Sequence, residues 1–413
     1  MSRRLKILSV ITDLGFGGGE SRTLAFARAV DRDRFEHAVV SLYGHDAAYD
    51  ARWGSVRDDF RVADVELLDL GEAPRERLLG AASPAGVVES ATVITRMVRK
   101  LAAIIRARGI DVVDAQHITA SVFGLMAGKW TGTPTTVTEY HTGYWERPGM
   151  RLAGRCVLRM PEALICDSQM RRDEINAWLI APHPRAVVIP NGVPRPVPTR
   201  PAEEVRRFFQ LPDAPGTKVV AQVSRLVPYK GHSHLLKAAR RVLAAAPDTY
   251  FLLVGFAGED PSYLPALEAE AAALGIRDRV RIGGYPGPVG DVWQLVDVHA
   301  HASVFDSLPI AITEGMALAR PAVVTRVGGI PEMVTHERTG LVVEPADPVA
   351  LADGILRMLR EPETARRLGE AALARYEHGY RPEVMARALE ALFTELAAER
   401  RRSRWRVPGT SRG

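Results

Sequence analysis

Cysteine is nearly absent from this 413-residue chain: Cys156 and Cys166 are the whole supply. Two cysteines exclude a disulfide framework and are too few for a cysteine-based zinc site. They read as free thiols in a reducing compartment. Lysine is also scarce. Six of the 54 basic residues are lysine and the other 48 are arginine, a bias that fits codon usage in a GC-rich genome rather than the choice of a partner. No run of 18 uninterrupted apolar residues occurs, so no membrane span is expected. The apolar run Ile7-Leu-Ser-Val-Ile11 is too short for a signal-peptide core and gives way to Thr12-Asp13, so no targeting segment is expected. The expected location is therefore cytoplasmic, with peripheral contact at the inner membrane face left open. A net charge of +5 is mild for this length, and it gives no reason to expect nucleic acid as a partner.

What is present is ordinary globular usage, 46% apolar and 25% charged, which excludes wholesale disorder. At about 150 residues per domain, the length implies two or three domains. Short apolar runs alternate with longer helical patterns. Strands are expected at Lys6–Val10, His37–Leu42, Asp111–Ala115, Thr135–Thr138 and Ala163–Cys166, with helices at Ser21–Val30, Val87–Arg108 and Ser121–Trp130. Repeated βα units argue for a parallel sheet covered on both faces. Five prolines fall within Pro190–Pro201, and such a stretch is a stiff connector. Beyond it the rhythm restarts with strands at Lys218–Gln222, Tyr250–Val254, Val280–Ile282, Val298–Ala300 and Ala322–Thr325. The expected fold class is α/β, two doubly wound Rossmann-like domains facing across a cleft. The expected boundaries are 1–195, 196–380, a last helix over 381–400 that returns to the first domain, and a basic disordered tail over 401–413.

Three segments carry candidate chemistry. Gly15-Phe-Gly-Gly-Gly-Glu20 follows the first strand, where glycines admit a ligand close to the backbone and a helix N-terminus attracts anions. By itself the segment is equally a plain tight turn. Ser224-Arg-Leu-Val-Pro-Tyr-Lys-Gly231 places Arg225 and Lys230 on a strand-to-helix loop, where two cations suit a pyrophosphate; the alternative is a pair of solvated surface cations. Asp306-Ser-Leu-Pro-Ile-Ala-Ile-Thr-Glu314 sets two carboxylates eight positions apart beside the backbone N–H groups at Leu308–Ala311. Taken alone, those carboxylates read as a dipole partner and a packing-rim residue. His141, just after the Thr135–Thr138 strand, would for a lone histidine read as a satisfied core residue; its post-strand loop favours function.

Taken together, these segments resemble the retaining GT-B glycosyltransferases of family four, the glycosyl transferases group 1. The resemblance runs from about Lys6 to Leu396. It is carried by the three segments, by Leu252-Leu-Val-Gly255, Arg320-Pro-Ala-Val-Val-Thr-Arg-Val-Gly-Gly-Ile-Pro-Glu-Met-Val334 and Thr339-Gly-Leu-Val-Val343. In the first half it rests on Gly17–Glu20, His141, Asp167-Ser168 and Val188–Val193. It implies transfer of a sugar from a nucleotide diphosphate sugar to an acceptor hydroxyl with retention, without metal or other cofactor. Arg225 and Lys230 would hold the donor diphosphate, and Glu314 would accept from the ribose hydroxyls. The N–H groups of Leu308, Ile310 and Ala311 would complete the cradle, while Pro309 has none to offer. Asp306 would touch donor-sugar hydroxyls, although the family has the longer Glu there. His141 would stand near the reacting carbon. Gly18, Gly19 and Glu20 would border diphosphate and acceptor. The acceptor could be a sugar, a lipid-linked glycan or a small molecule.

Arg147, Arg151, Arg155 and Arg159 recur at i, i+4 and would form one basic stripe on a helix, suited to an anionic membrane surface. Arg96, Arg99, Lys100, Arg106 and Arg108 form a second cluster. Solvated helix faces are the simpler reading of both. Three rival functions remain at this level: a nucleotide-sugar epimerase of the same architecture, a catalytically decayed subunit that binds nucleotide or sugar without turnover, and a basic membrane-scaffold protein resting on the arginine clusters alone.

Overall fold

The computed structural model describes residues 3–15, 17–44, 55–72, 84–140, 151–256 and 260–405. Helices of eight residues or more are numbered here. The chain divides into two compact units, one of Met1–Gly192 with Pro382–Gly413, the other of Val193–Arg381.

The first unit contains β1 (Leu5–Ile11), α1 (Gly18–Ala29), β2 (Phe35–Tyr43), β3 (Glu66–Glu72), α2 (Pro84–Arg108), β4 (Val112–Gln116), α3 (His117–Thr131), β5 (Thr135–Glu139), β6 (Ala163–Cys166), α4 (Gln169–Trp178) and β7 (Ala186–Val188). All strand pairs are parallel, in the order β3-β2-β1-β4-β5-β6-β7. β4 is buried along its whole length and β1 from Ile7 onward, because helices cover both faces. One face packs on α2 and α3 through Leu8, Val10, Val113, Leu101 and Ile105. The other packs through Ile7, Val112 and Ile165 onto Phe26 of α1 and Phe393 of the last helix.

The second unit contains β8 (Lys218–Val223), α5 (His232–Ala245), β9 (Thr249–Val254), α6 (Tyr263–Ala273), β10 (Val280–Gly283), β11 (Val298–His301), α7 (Ile310–Ala317), β12 (Ala322–Thr325), β13 (Leu341–Val343), α8 (Pro348–Arg360) and α9 (Pro362–Gly379). Its parallel sheet runs β10-β9-β8-β11-β12-β13. Each sheet therefore reverses its winding beside its first strand, between β1 and β4 and between β8 and β11. In doubly wound sheets, ligands bind at the carboxyl ends of the strands at this switch point.

The last helix, α10 (Pro382–Trp405), belongs to the first unit. Met385, Leu389, Phe393 and Leu396 lie buried against Ile7, Phe26 and Val112, and the Phe26 and Phe393 rings meet edge-on at 5.8 Å. The helix continues through Arg401–Trp405, where the sequence reading placed a disordered tail. Arg400 ties its last turns to the sheet, donating to the Ile110 carbonyl at 3.0 Å and to Thr133 Oγ1 at 3.1 Å. Charge density alone, read along the sequence, conceals that anchoring.

Candidate functional site

In the second unit, the candidate residues sit on loops at the carboxyl ends of β8 and β11. Gln222, next to last in β8, is buried in the sheet. Its side-chain amide donates to the Lys230 carbonyl at 2.7 Å and to Ser224 Oγ at 3.2 Å, and its oxygen accepts from the Ala302 N–H at 3.1 Å. One side chain thus ties the β8–α5 loop to the end of β11. Gly231 closes that loop with φ +71°, and a Cβ there would lie 1.9 Å from the Ala302 carbonyl oxygen. Only glycine allows this approach.

Lys230 and Asp306 meet across these two loops, Nζ to Oδ2 at 2.6 Å, with side chains 14% and 10% exposed. The same Oδ2 is 3.0 Å from His301 Nε2 and 3.0 Å from Ser303 Oγ, while Oδ1 accepts from the Ser307 N–H at 3.1 Å. Burial pushes the Asp306 carboxyl up, but the hydrogen bond from His301 and the positive charge of Lys230 outweigh it, holding the group well below the usual carboxylate range. Burial holds His301 below its ordinary value. A neutral His301 that donates from Nε2 leaves its buried Nδ1 as an acceptor, the cheaper orphan. His232 beneath the loop accepts or donates with Ser224 Oγ at 3.1 Å, and burial lowers it to about 4.

Arg225 is exposed at the start of the loop. α7 begins at Ile310 behind Pro309, so the N–H groups of Ile310 and Ala311 lie in a first turn with no helical carbonyl to receive them. Leu308 is buried in the core under that turn. Glu314, one turn further on, is partly buried and accepts from Trp293 Nε1 at 2.9 Å. Burial pushes its carboxyl up to about 7, against the opposing hydrogen bond from Trp293.

In the first unit, Gly18, Gly19 and Glu20 form the first turn of α1 behind Gly17. Gly18 is open, and a Cβ on it would touch nothing within 4 Å. Gly19 faces Gln116 and Tyr140. The Glu20 carboxylate folds back over Gly17, where a Cβ would fall 2.2 Å from its oxygen. Burial, and then the nearby charge of Asp13, push Glu20 up to about 8. A polar layer backs this turn. Tyr140 donates to Gln116 Oε1 at 3.1 Å, Gln116 donates to Asp114 Oδ2 at 2.6 Å, and Thr136 donates to Asp114 Oδ1 at 2.7 Å. Arg22, 1% exposed, donates to the Ile189 carbonyl at 3.0 Å and to Asn191 Oδ1 at 2.8 Å. His141 lies outside the described residues.

Only part of the basic stripe lies on a described helix. Arg147 lies outside the described residues, and the local helix spans only Arg151–Val157. Arg155 turns inward, donating to the Trp178 carbonyl at 2.8 Å and lying over its ring, and Arg159 donates to the Ala181 carbonyl. In the second cluster, Lys100 reaches the Leu70 carbonyl, Arg106 the Trp130 carbonyl and Arg108 the carboxylate of Glu66. These side chains are spent on local contacts that linear spacing does not reveal. Among the described residues, no helix is long and apolar enough to cross a membrane.

Gln222, Trp293, His301 and Ser303 were not singled out from the sequence. The available signal was polar residues inside otherwise apolar strand segments, Gln222 in Lys218–Val223 and His299 and His301 in Val298–His301.

Two parallel-sheet Rossmann-like units, each with polar loops at its switch point, define the class of the GT-B glycosyltransferases. The chain matches the family described as Glycosyl transferases group 1 over residues 204–375 and Glycosyltransferase Family 4 over residues 16–195. It is 30% identical over 309 residues to a GDP-mannose-dependent monoacylated alpha-(1-6)-phosphatidylinositol monomannoside mannosyltransferase of Corynebacterium glutamicum, covering 70% of this chain and 77% of that relative. It is 28% identical over 269 residues to a D-inositol 3-phosphate glycosyltransferase of Segniliparus rotundus, covering 64% of this chain but only 57% of the relative's length. Anabaena Alr3699/HepE, solved in complex with UDP and glucose, superposes with a TM-score of 0.77 at 20% identity, covering 95% of this chain and all of that one. The chain belongs to glycosyltransferase family 4.

Proposed function

We propose that this protein transfers a sugar from a nucleotide diphosphate sugar to an acceptor hydroxyl, with retention of anomeric configuration and without a metal ion. The observation that carries the reading is the Lys230 ammonium held at the switch point of the second unit, beside a loop that leads into the N-terminus of α7. Such a site is made for anionic oxygens. Lys230 and Arg225 bind the diphosphate and offset the charge that grows on it as the glycosidic bond breaks. The Ile310 and Ala311 N–H groups add dipoles, with Leu308 seating the turn. Glu314 accepts from the ribose hydroxyls.

On the first unit, Gly18 and Gly19 leave room for the substrates, and Glu20 and His141 border the acceptor and the reacting carbon. The departing phosphate takes the acceptor's proton on the same face, so rate comes from positioning and leaving-group electrostatics. The acceptor is a sugar, a lipid-linked glycan or a small polyol. The named relatives make inositol phosphate and phosphatidylinositol mannosides the first acceptors to try.

The test is a thermal-shift series with UDP, GDP, ADP and dTDP on the wild type and on Lys230→Ala. A nucleotide at 100-fold excess over its dissociation constant stabilises by about 2.7 kcal/mol. The reading expects one nucleotide to shift the wild type and Lys230→Ala to lose that shift. If no nucleotide shifts the wild type, the donor site is misassigned.

A further inference from the structure

The second carboxylate of the site, Asp306, is engaged by four donors. Its Oδ2 already meets three donors, Lys230 Nζ at 2.6 Å, His301 Nε2 at 3.0 Å and Ser303 Oγ at 3.0 Å, and its Oδ1 takes the Ser307 N–H. It is 9% exposed. The loop that carries it is clamped from behind: Gly328 has φ +52°, and a Cβ there would lie 1.8 Å from the Asp306 carbonyl oxygen. Asp306 is also one methylene shorter than glutamate, which keeps its carboxylate close to its own backbone and over Lys230. Thr325 Oγ1 donates to the Ser303 carbonyl at 2.6 Å, so the supporting turn is itself pinned.

We propose that Asp306 is a positioning residue for Lys230 rather than a ligand of the donor sugar, with His301 and Ser303 fixing the carboxylate. This inference rests on the donor-site reading of the second unit. An ammonium has three N–H donors. Asp306 takes one and leaves two directed at the phosphate oxygens of a nucleoside diphosphate. A flexible four-carbon side chain is thereby ordered before the ligand arrives, so binding spends less on ordering it. The shorter acid at this place in the family pattern then marks a change of role, from contacting hydroxyls to aiming a cation.

The two roles separate with a ligand that has no sugar. The probe is the nucleoside diphosphate, among UDP, GDP, ADP and dTDP, that binds the wild type, titrated calorimetrically into the full chain. The variants are Asp306→Asn, Lys230→Ala and the double variant, each checked by thermal melt. A positioning role expects Asp306→Asn to weaken the sugarless diphosphate about tenfold, and to add nothing further in the Lys230→Ala background. Ser303→Ala, which keeps the charge, expects a smaller loss in the same direction that also vanishes when Lys230 is gone. It stands in if Asp306→Asn fails to fold. If wild type and Asp306→Asn bind the diphosphate equally while only the nucleotide sugar is weakened, Asp306 is a sugar ligand and the inference is overturned, with the donor reading intact. Losses in Asp306→Asn and Lys230→Ala that simply add also overturn it. If the wild type binds none of the four diphosphates, the donor reading falls and the inference with it.

Discussion

Glu314 joins a raised pKa to a single neutral donor, Trp293 Nε1. In the folded chain the group keeps its proton up to about 7, whereas an unfolded glutamate releases it near its ordinary value of 4.5. The folded state thus binds more protons between these values, so this group's stabilisation is complete below about 4.5 and is lost as pH rises through about 7. Glu314→Gln is expected to flatten that decline, measured as the urea midpoint from pH 5 to pH 8. Ribose hydroxyls favour the ionised form, so nucleotide affinity should run the opposite way. We expect Glu314 to contribute about a tenfold weakening at pH 6 relative to pH 8 in the wild type, and Glu314→Gln to lose that contribution and keep only the dependence due to the ligand's own phosphate. A calorimetric titration at the two pH values decides this. Glu314 was singled out by the family resemblance, its spacing alone reading as a packing-rim residue. Its pKa was not legible, because desolvation depends on what packs around the carboxyl.

At the scale of elements, long periodic segments were the legible ones, and the short connecting ones were not. The Val87–Arg108 pattern became α2 with three more residues at its start, and the Ala163–Cys166 and Ala322–Thr325 strands have the bounds the sequence implied. β3, β7 and β13 were missed. β7 and β13 have three residues each and β3 ends in polar Asp69 and Glu72, so alternation has nothing to show. The site loops depend on two glycines whose need is tertiary: Gly231 against Ala302, and Gly328 against Asp306. Gly328→Ala would force a Cβ into the Asp306 carbonyl at a left-handed φ. We expect it to cost about 2 kcal/mol or more in urea unfolding, and to weaken nucleoside diphosphate binding through the displaced Asp306 loop. An alanine at Gly379, where a Cβ would meet nothing, is the control.

At the scale of the molecule, the chain's end completes its beginning. Phe393 of α10 is fully buried against Phe26, in a cluster with Ile7, Val112 and Ile165 of the first unit's sheet. Phe393→Ala should therefore destabilise by about 3–5 kcal/mol, read as a lower denaturant midpoint. Tryptophan probes report which unit is affected. Trp178 belongs to the first unit and Trp293 to the second, so single-tryptophan variants should show the loss in the first unit while the second keeps its own midpoint. Equal shifts at both probes would show that the two units unfold together.

The sequence by itself determined that the chain is α/β and that Arg225, Lys230 and Asp306 stand on loops after strands. These are local matters: hydrophobic period, turn chemistry and spacing along one segment are set by neighbours in the chain. Tertiary structure alone decided that Asp306 is spent on Lys230, His301 and Ser303, that Gln222 ties two loops together, and that Arg155 turns in toward Trp178. The deciding contacts, Lys230 with Asp306, Gln222 with Ala302 and Arg155 with Trp178, join residues far apart in sequence. Burial and the reach of a side chain, neither of which the order of residues encodes, settle which of the available partners is met.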